Sequence, residues 1–432
     1  PQRYARTIWG VSGRIDWSAP VGDFTSITAY RESKSADDYS GVGASYQFLT
    51  SSSQAVARDL DHPGTFTQEL RYASPKWTYG DFVSGLYYLD ENGYRNLVSR
   101  AFAAGTGALV TNTISDQKVD SQSYAAYWDG TLHIVPTLDL TAGGRYTVDR
   151  KQASVVRTDL IVAANSYTVR GQSKQWSEFT PRAVLTWMPS KTIRVYGSVT
   201  KGYTSGGYNA DAAVPAAFTT PFNPETVTNY EAGLKSTFLN NRVRVNVAIF
   251  REKYADKQEL YFNSITRITT IVNASKATMN GAEIELACSP LQGLNLGAAY
   301  GVLDAKYDQF LVPGVLNYTG NPLGSAPKGK LSLSADYEFP WAKFGYLSAV
   351  AAYSWTDGYY TGATKDPNLF VPAYSLLNAS IGFETLDRKW RISLWGRNLG
   401  NTEYLLTPST QVVLAEYLGE PRTYGVSVGV RF

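Results

Sequence analysis

The chain holds one cysteine, two methionines and two histidines in 432 residues. A single thiol, Cys288, forbids an internal disulfide and argues against a thiolate metal cluster. His62 and His133 have no serine beside them in a recognisable nucleophile setting, and a hydroxyl nucleophile without a base stays weak. No enzyme, resident metal or cofactor is expected. There is no apolar run of 18 residues, so no transmembrane helix, and no long stretch with helical apolar spacing. The 37 glycines are spread along the chain rather than gathered into a phosphate-cradling loop. Forty basic against 37 acidic residues leave a net charge of +3, which carries no nucleic-acid signature. Pro1 to Gly10 lack the charged start and apolar core of a signal peptide, so the chain is expected to be mature, trimmed or incomplete.

What is abundant is tyrosine, at 31 residues, with 10 tryptophans. The closing segment is the most informative. Side chains alternate across a strand with period two. Tyr424, Val426, Val428, Val430 and Phe432 therefore share one face, and Thr423, Gly425, Ser427, Gly429 and Arg431 the other. An apolar face carried to a terminal aromatic suits the last strand of a membrane barrel with an aromatic girdle. On this segment alone, a soluble sandwich is the alternative.

Seventeen strands are predicted, over 7–19, 23–38, 65–74, 80–92, 121–135, 137–150, 175–188, 192–206, 227–239, 241–256, 268–288, 293–306, 328–339, 343–357, 373–385, 389–399 and 420–432. Val243, Val245, Val247 and Ile249 oppose Arg244, Asn246 and Ala248; Leu331, Leu333, Ala335, Tyr337 and Phe339 oppose Lys330, Ser332, Ser334, Asp336 and Glu338. Connections alternate short and long. Short ones, such as Val135-Pro-Thr137 and Leu239-Asn-Asn-Arg242, carry turn residues. Long ones fall near 39–64, 93–120, 151–174, 207–226, 257–267, 307–327, 358–372 and 400–419. A soluble sandwich has no reason to sort its loops this way, whereas outer-membrane barrels do. The fold class expected is all-β, a transmembrane antiparallel β-barrel of the outer-membrane type, its apolar sets facing lipid. Single-chain bacterial barrels have even strand counts, and lipid does not tolerate bare sheet edges. Either the count is off by one or strands precede Pro1, and the first and last strands are not expected to pair.

Several stretches are recognisable together: Tyr196-Gly-Ser-Val-Thr-Lys-Gly-Tyr203, Asn223-Pro-Glu-Thr-Val-Thr-Asn-Tyr-Glu-Ala-Gly-Leu-Lys-Ser236, Asn280-Gly-Ala-Glu-Ile-Glu285, Trp395-Gly-Arg-Asn-Leu-Gly-Asn-Thr-Glu-Tyr404 and Pro421 to Phe432. In order and spacing the chain resembles the barrel of a TonB-dependent outer-membrane receptor over nearly its whole length. The resemblance implies 22 strands around an N-terminal plug, of which this chain, residues 1–432, would be the C-terminal part of the barrel without plug or TonB box. It also implies import of a scarce large solute, most often an iron–siderophore complex, driven by the TonB–ExbB–ExbD complex through the plug. Cobalamin, oligosaccharides and aromatic compounds are alternative solutes. Implied partners are outer-membrane lipid and lipopolysaccharide, a small-molecule ligand, and the barrel assembly machinery, which would read the aromatic end at Phe432.

If the chain is an importer, its ligand meets the long connections and the upper lumen. The candidates there are Tyr39, Tyr46, Phe102, Tyr203, Tyr208, Tyr254, Tyr261, Tyr307, Tyr359 and Tyr360. Aromatic faces with polar handles suit a bulky chelate, and a structural girdle would also use them. Arg145, Glu231, Lys235, Arg244, Glu283, Glu285 and Arg397 read as a charge lattice on the lumen face. Asp37-Asp38 and Asp59/Asp61 read as solvated loop charge. The rival classes are a passive porin-like channel, with a constricting loop folded into its pore, and an adhesin or phage-binding barrel.

Overall fold

The computed structural model describes residues 3–40, 54–102, 108–212, 214–263, 268–312, 316–409 and 415–431. Seventeen long strands follow one another. They are β1 (Arg3–Ala19), β2 (Gly22–Ser40), β3 (Gln54–Asp61 and Gly64–Ala73, broken at His62-Pro63), β4 (Gly80–Phe102), β5 (Leu109–Val135), β6 (Leu138–Asp159) and β7 (Tyr167–Ser190). Next come β8 (Ile193–Thr204), β9 (Glu225–Phe238), β10 (Val243–Asn263), β11 (Ile268–Leu291) and β12 (Leu294–Val312). The last five are β13 (Gly329–Trp341), β14 (Gly345–Thr356), β15 (Tyr374–Thr385), β16 (Trp390–Arg397) and β17 (Thr423–Val430). Each pairs antiparallel with the next, so the short turns fall at one end and the long connections at the other. Among the described residues, β1 pairs only with β2 and β17 only with β16.

The register keeps the apolar residues on one face. Ile249 stands opposite Ala282, and Ala282 opposite Val302. Leu333 stands opposite Ala298 on one side and Tyr353 on the other. Ile381 meets Leu394, and Leu394 meets Val426. A slip of one residue would turn a whole set over, and none occurs along this row. These side chains are not packed into a second layer: Ile249 is 58%, Leu394 60% and Val426 62% exposed. An exposed apolar belt of this extent is the mark of a surface that meets something other than water. The opposite face carries the paired charges, including Arg182–Asp129 and Lys201–Glu178, each at 2.7 Å. No helix among the described residues is long and apolar enough to cross a membrane.

The strands run further than their alternation suggests. Residues 93–102 and 109–120 belong to β4 and β5, and 151–159 to β6, where long connections were expected. Period-two alternation fades there because both faces meet water or folded-in segments, so a polar stretch looks like loop while the ladder continues. For the same reason Phe102 ends a strand rather than sitting in a loop, and Asp37, Asp38, Asp59 and Asp61 lie on paired strands: Asp37 is in register with Asp59.

Turn geometry is fixed by a few residues. Gly293 has φ +84°, and a Cβ there would lie 1.9 Å from the Glu338 carbonyl oxygen, so only glycine closes the β11–β12 turn. At the other end Asn398 pins the last long connection. It adopts φ +46° and is 4% exposed. Its Nδ2 donates to the carbonyls of Thr402 (2.9 Å) and Glu420 (3.0 Å), and its Oδ1 accepts from the Thr402 amide at 2.9 Å. Asn398→Ala loses all three bonds and leaves a non-glycine residue without a local partner in the left-handed region. The expected cost is about 2–3 kcal/mol of local stability. Amide exchange at Thr402 should rise accordingly, and unchanged exchange would show that the clamp does not hold the segment.

Candidate ligand-binding site on the polar face

Two clusters form where the tall ends of the strands receive folded-back connections. In the first, the segment after β12 turns down against the polar face. The Leu323 amide donates to Ala305 O (3.1 Å), Tyr307 N to Asn321 O (3.0 Å) and Leu303 N to Lys328 O (2.9 Å). This buries Leu323, Ala305, Tyr307, Phe310 and Ala277, with Tyr254 and Tyr318 packed at the edge. The Tyr307 hydroxyl donates to Glu259 at 2.8 Å, and Glu259 pairs with Lys257 at 2.7 Å. Tyr254 donates to Glu252 at 3.2 Å. Below the folded-back segment lies a cavity of about 690 Å³ whose walls include Phe250, Tyr254, Leu303 and the 323–327 turn. Burial pushes the Tyr318 hydroxyl up from its ordinary pKa.

The second cluster belongs to the connection between β8 and β9. These two strands are short, so β7 above Arg182 and β10 above Ala255 have no partner on that side. Residues 205–224 fill the notch. A short helix, α1 (Pro215–Thr219), starts with proline at a position that needs no amide and buries Phe218 at 0% exposure against Ala153, Val155 and Ala212. Tyr208 stacks on Phe218 with ring centroids 5.9 Å apart, and burial raises its hydroxyl pKa. One flank is tied by Asp211, which accepts from Arg95 at 3.1 Å and from Gln117 at 2.8 Å. The other is tied by Asn209, which exchanges two hydrogen bonds with the Ile271 backbone at 3.2 and 2.7 Å.

The candidate aromatics are not one group. Tyr254 and Tyr307 join in the first cluster, Tyr208 in the second. Tyr203 borders a smaller cavity of about 300 Å³ with Arg145, Asp149 and Lys201. Tyr359 and Tyr360 form a bridge to Phe370–Val371, with Tyr360 and Phe370 rings 5.0 Å apart. Tyr261 is half-buried on β10, opposite Thr270. Tyr39 lies on β2 in register with Ala57, and Phe102 ends β4. Tyr46 and Phe432 lie outside the described residues. Tyr424, Val426, Val428 and Val430 are exposed on the last strand at 81, 62, 62 and 41%.

The charged candidates find mostly neutral partners. Glu231 accepts from the Tyr196 hydroxyl at 2.6 Å, and Lys235 lies over the same ring at 5.6 Å; among the described residues neither pairs with a charge on a neighbouring strand. Arg145 sits over the Tyr87 and Tyr127 rings at 5.1 and 5.8 Å. Glu285 accepts from Asn246 at 3.2 Å, and Arg397 lies over Trp395 at 5.6 Å. Glu283 and Arg244 are exposed on the same face. The sequence reading missed Phe218, Asn209, Asp211, and Lys257 and Glu259 as the partners of Tyr307. Only Pro215, as a helix start, left a local signal for the first of these.

An all-antiparallel meander with an exposed apolar belt, a charged opposite face and long connections at one end defines an outer-membrane β-barrel, with the belt towards lipid and the charges towards the lumen. Residues 2–399 match the family model described as TonB dependent receptor-like, beta-barrel, and the chain belongs to that family. It is 26% identical over 346 residues to the pesticin receptor of Yersinia pestis, covering 78% of this chain and 47% of that protein. It is 23% identical to a probable TonB-dependent siderophore receptor, PiuA, of Acinetobacter baumannii, covering 72% of this chain and 40% of that protein. The chain thus spans about half the length of the curated relatives it matches. Among solved structures it resembles the ferric yersiniabactin uptake receptor FyuA of Yersinia pestis, with TM-score 0.84, 21% identity, and coverage of 100% of this chain and 62% of that one. It also resembles the siderophore receptor PiuA from Acinetobacter baumannii at TM-score 0.77 and 16% identity, over 99% and 64% of the two chains. The protein resides in the outer membrane of a Gram-negative bacterium.

Proposed function

We propose that this chain is the barrel of a receptor that captures an iron–siderophore complex outside the cell and imports it with energy from the TonB complex. The observation that carries this reading is the roofed cavity on the lumen wall. It is walled by aromatic side chains under a turn hydrogen-bonded to β12, and it faces the end of the barrel where the long connections gather. Sites that bury most of a bulky ligand are built this way. The names of its relatives, which include siderophore and ferric-complex receptors, agree. In this reading residues 1–432 form the barrel domain, and the plug, the contact with TonB–ExbB–ExbD and further strands towards 22 lie in sequence outside it. The partners at the outer surface are lipid and lipopolysaccharide, and the barrel assembly machinery inserts the chain. The protein performs no catalysis and needs no cofactor; iron arrives with the ligand.

A porin-like channel is the rival, because residues 205–224 do fold onto the lumen wall. They are tied to Arg95, Gln117 and Ile271, on the tall ends of the strands, and seal the wall there instead of crossing the waist. A wide barrel leaks unless plugged, so a plugged one needs energy to open. In whole cells, uptake of the ferric ligand should saturate at low concentration and fall to background without a working TonB system. Equal uptake in both strains, linear in ligand concentration, would establish a diffusion channel.

A further inference from the structure

The floor of the large cavity contains an unusual pair. Glu283 on β11 stands opposite Gly301 on β12, and Gly301 stands opposite Lys330 on β13. All three line the cavity. Glu283 and Lys330 are thus two strand spacings apart, roughly 10 Å between Cα atoms, on the same face, with no side chain between them. A Cβ built on Gly301 would touch only Glu283 Cγ, at 3.7 Å, so the gap is open space. Among the described residues neither charge forms an ion pair or hydrogen bond. On the same wall Lys257 does close on a partner, meeting Glu259 at 2.7 Å. In the next row Ala299 stands between Glu285 and Ser332, so the floor is low there too.

The roof above this gap is fixed. Leu323 is held to Ala305, and the Ser325 amide donates to Tyr360 O at 2.7 Å. Gly324 has no room for a Cβ, which would come within 2.8 Å of Thr361 O. The space has a roof and a floor, and across Gly301 it presents one negative and one positive side chain, with Glu225, Glu285 and Lys257 elsewhere on its wall.

We propose that Glu283 and Lys330 form a subsite for a zwitterionic, amino-acid-like group on the ligand, its ammonium towards Glu283 and its carboxylate towards Lys330. An α-amino acid spans about 3 Å from nitrogen to carboxylate oxygen. Two charge-assisted hydrogen bonds of about 2.8 Å then bring the total to roughly 9 Å, a separation the two charged groups offer when their side chains stand parallel from Cα atoms two strand spacings apart. A purely anionic or purely cationic group satisfies one end and leaves the other facing like charge. The inference rests on the receptor reading and names the chemistry of the ligand that the same cavity holds.

The test uses the full-length receptor and three probes built on one ferric trishydroxamate chelate. The first carries a free α-amino acid, the second the same group with its amine acetylated, and the third with its carboxylate amidated. The zwitterion should bind about tenfold tighter than either capped form. Glu283→Lys and Lys330→Glu should each abolish that preference, and the double swap should restore it, because the zwitterion can turn round. Retained binding of the capped probes by each single variant shows that it is folded. Gly301→Val should remove the preference by filling the gap. Equal binding of the three probes, no binding of the zwitterion, or a double swap that fails to recover would overturn the subsite. TonB-dependent uptake of another ferric chelate by the same cells would leave the receptor reading standing in each of those cases.

Discussion

Val247→Arg is expected to destabilise the barrel by about 2–4 kcal/mol, the range for a cation at the midplane of a lipid-facing strand, whereas Asn246→Arg is expected to cost much less. The two positions are neighbours, so strand propensity and distance from the turn are nearly equal. Only the face differs. Val247 lies opposite Leu234 and Ile284, and Ile284 is 46% exposed on the apolar face. Asn246 lies opposite Lys235 and Glu285, and its amide already donates to Glu285 at 3.2 Å. An arginine there meets water and a carboxylate, with Lys235 as a modest opposing charge. The measurement is equilibrium unfolding of the full-length protein in lipid vesicles. Equal losses at both positions would mean that the two faces of β10 meet the same surroundings, and the assignment of lipid and lumen would fail.

That assignment was legible in the sequence wherever a strand crosses the membrane. There the apolar set must face hydrocarbon and the polar set must not, and Val243 to Ile249 or Leu331 to Phe339 alternate without exception. The same physics hid the upper parts. Residues 109–120 of β5 and 151–159 of β6 stand clear of lipid, and nothing forces them to alternate. They read as loop although their backbone ladders are complete. Register was legible only through its consequence, because each hairpin turn is short and each apolar set must align with the next. The site was less legible. Tyr254 and Tyr307 belong to it, but Tyr359 and Tyr360 are separate from them, since aromatic content alone does not say which ring packs against which. Asn209, Asp211 and Asn273 hold segments far apart in sequence. Their partners are backbone groups and side chains about 20 to 120 positions away, and no local pattern encodes such a contact. Glu283 was legible as one member of a charge lattice, and Lys330 only as a polar-face residue of its strand. Only the register, which puts Gly301 between them, sets them apart.

Phe218→Ala is expected to release the 205–224 segment from the lumen wall without loosening the barrel. Truncating a fully buried phenylalanine costs about 3–5 kcal/mol, and here the ring supplies most of the apolar contact that the segment makes with Ala153 and Val155. The loss falls on the segment, since the strand ladders beside the notch, β6 to β7, β8 to β9 and β10 to β11, do not run through it. What remains between the ends is mainly polar: Asp211 with Arg95 and Gln117, Asn209 with Ile271, and the Tyr167 hydroxyl donating to Ala212 O at 2.5 Å, while Gln258 and Asn273 hold the ends at Ser205 and Asn223. Bonds of this kind contribute about 0.5–1.5 kcal/mol each, too little to keep the segment closed once the ring is gone, because opening restores the conformational freedom of the chain. Limited proteolysis of the full-length variant should therefore cut between Asn209 and Phe222 at a protease level that leaves the parent intact, while the unfolding midpoint of the barrel stays within error. Ligand dissociation should quicken, because the wall between β7 and β10 would then stand open at the height where the ligand is held. A variant that resists cleavage as the parent does would show that hydrogen bonds, not the Phe218 contact, hold the notch closed. A variant whose barrel unfolds early would show that residues 205–224 support the wall itself.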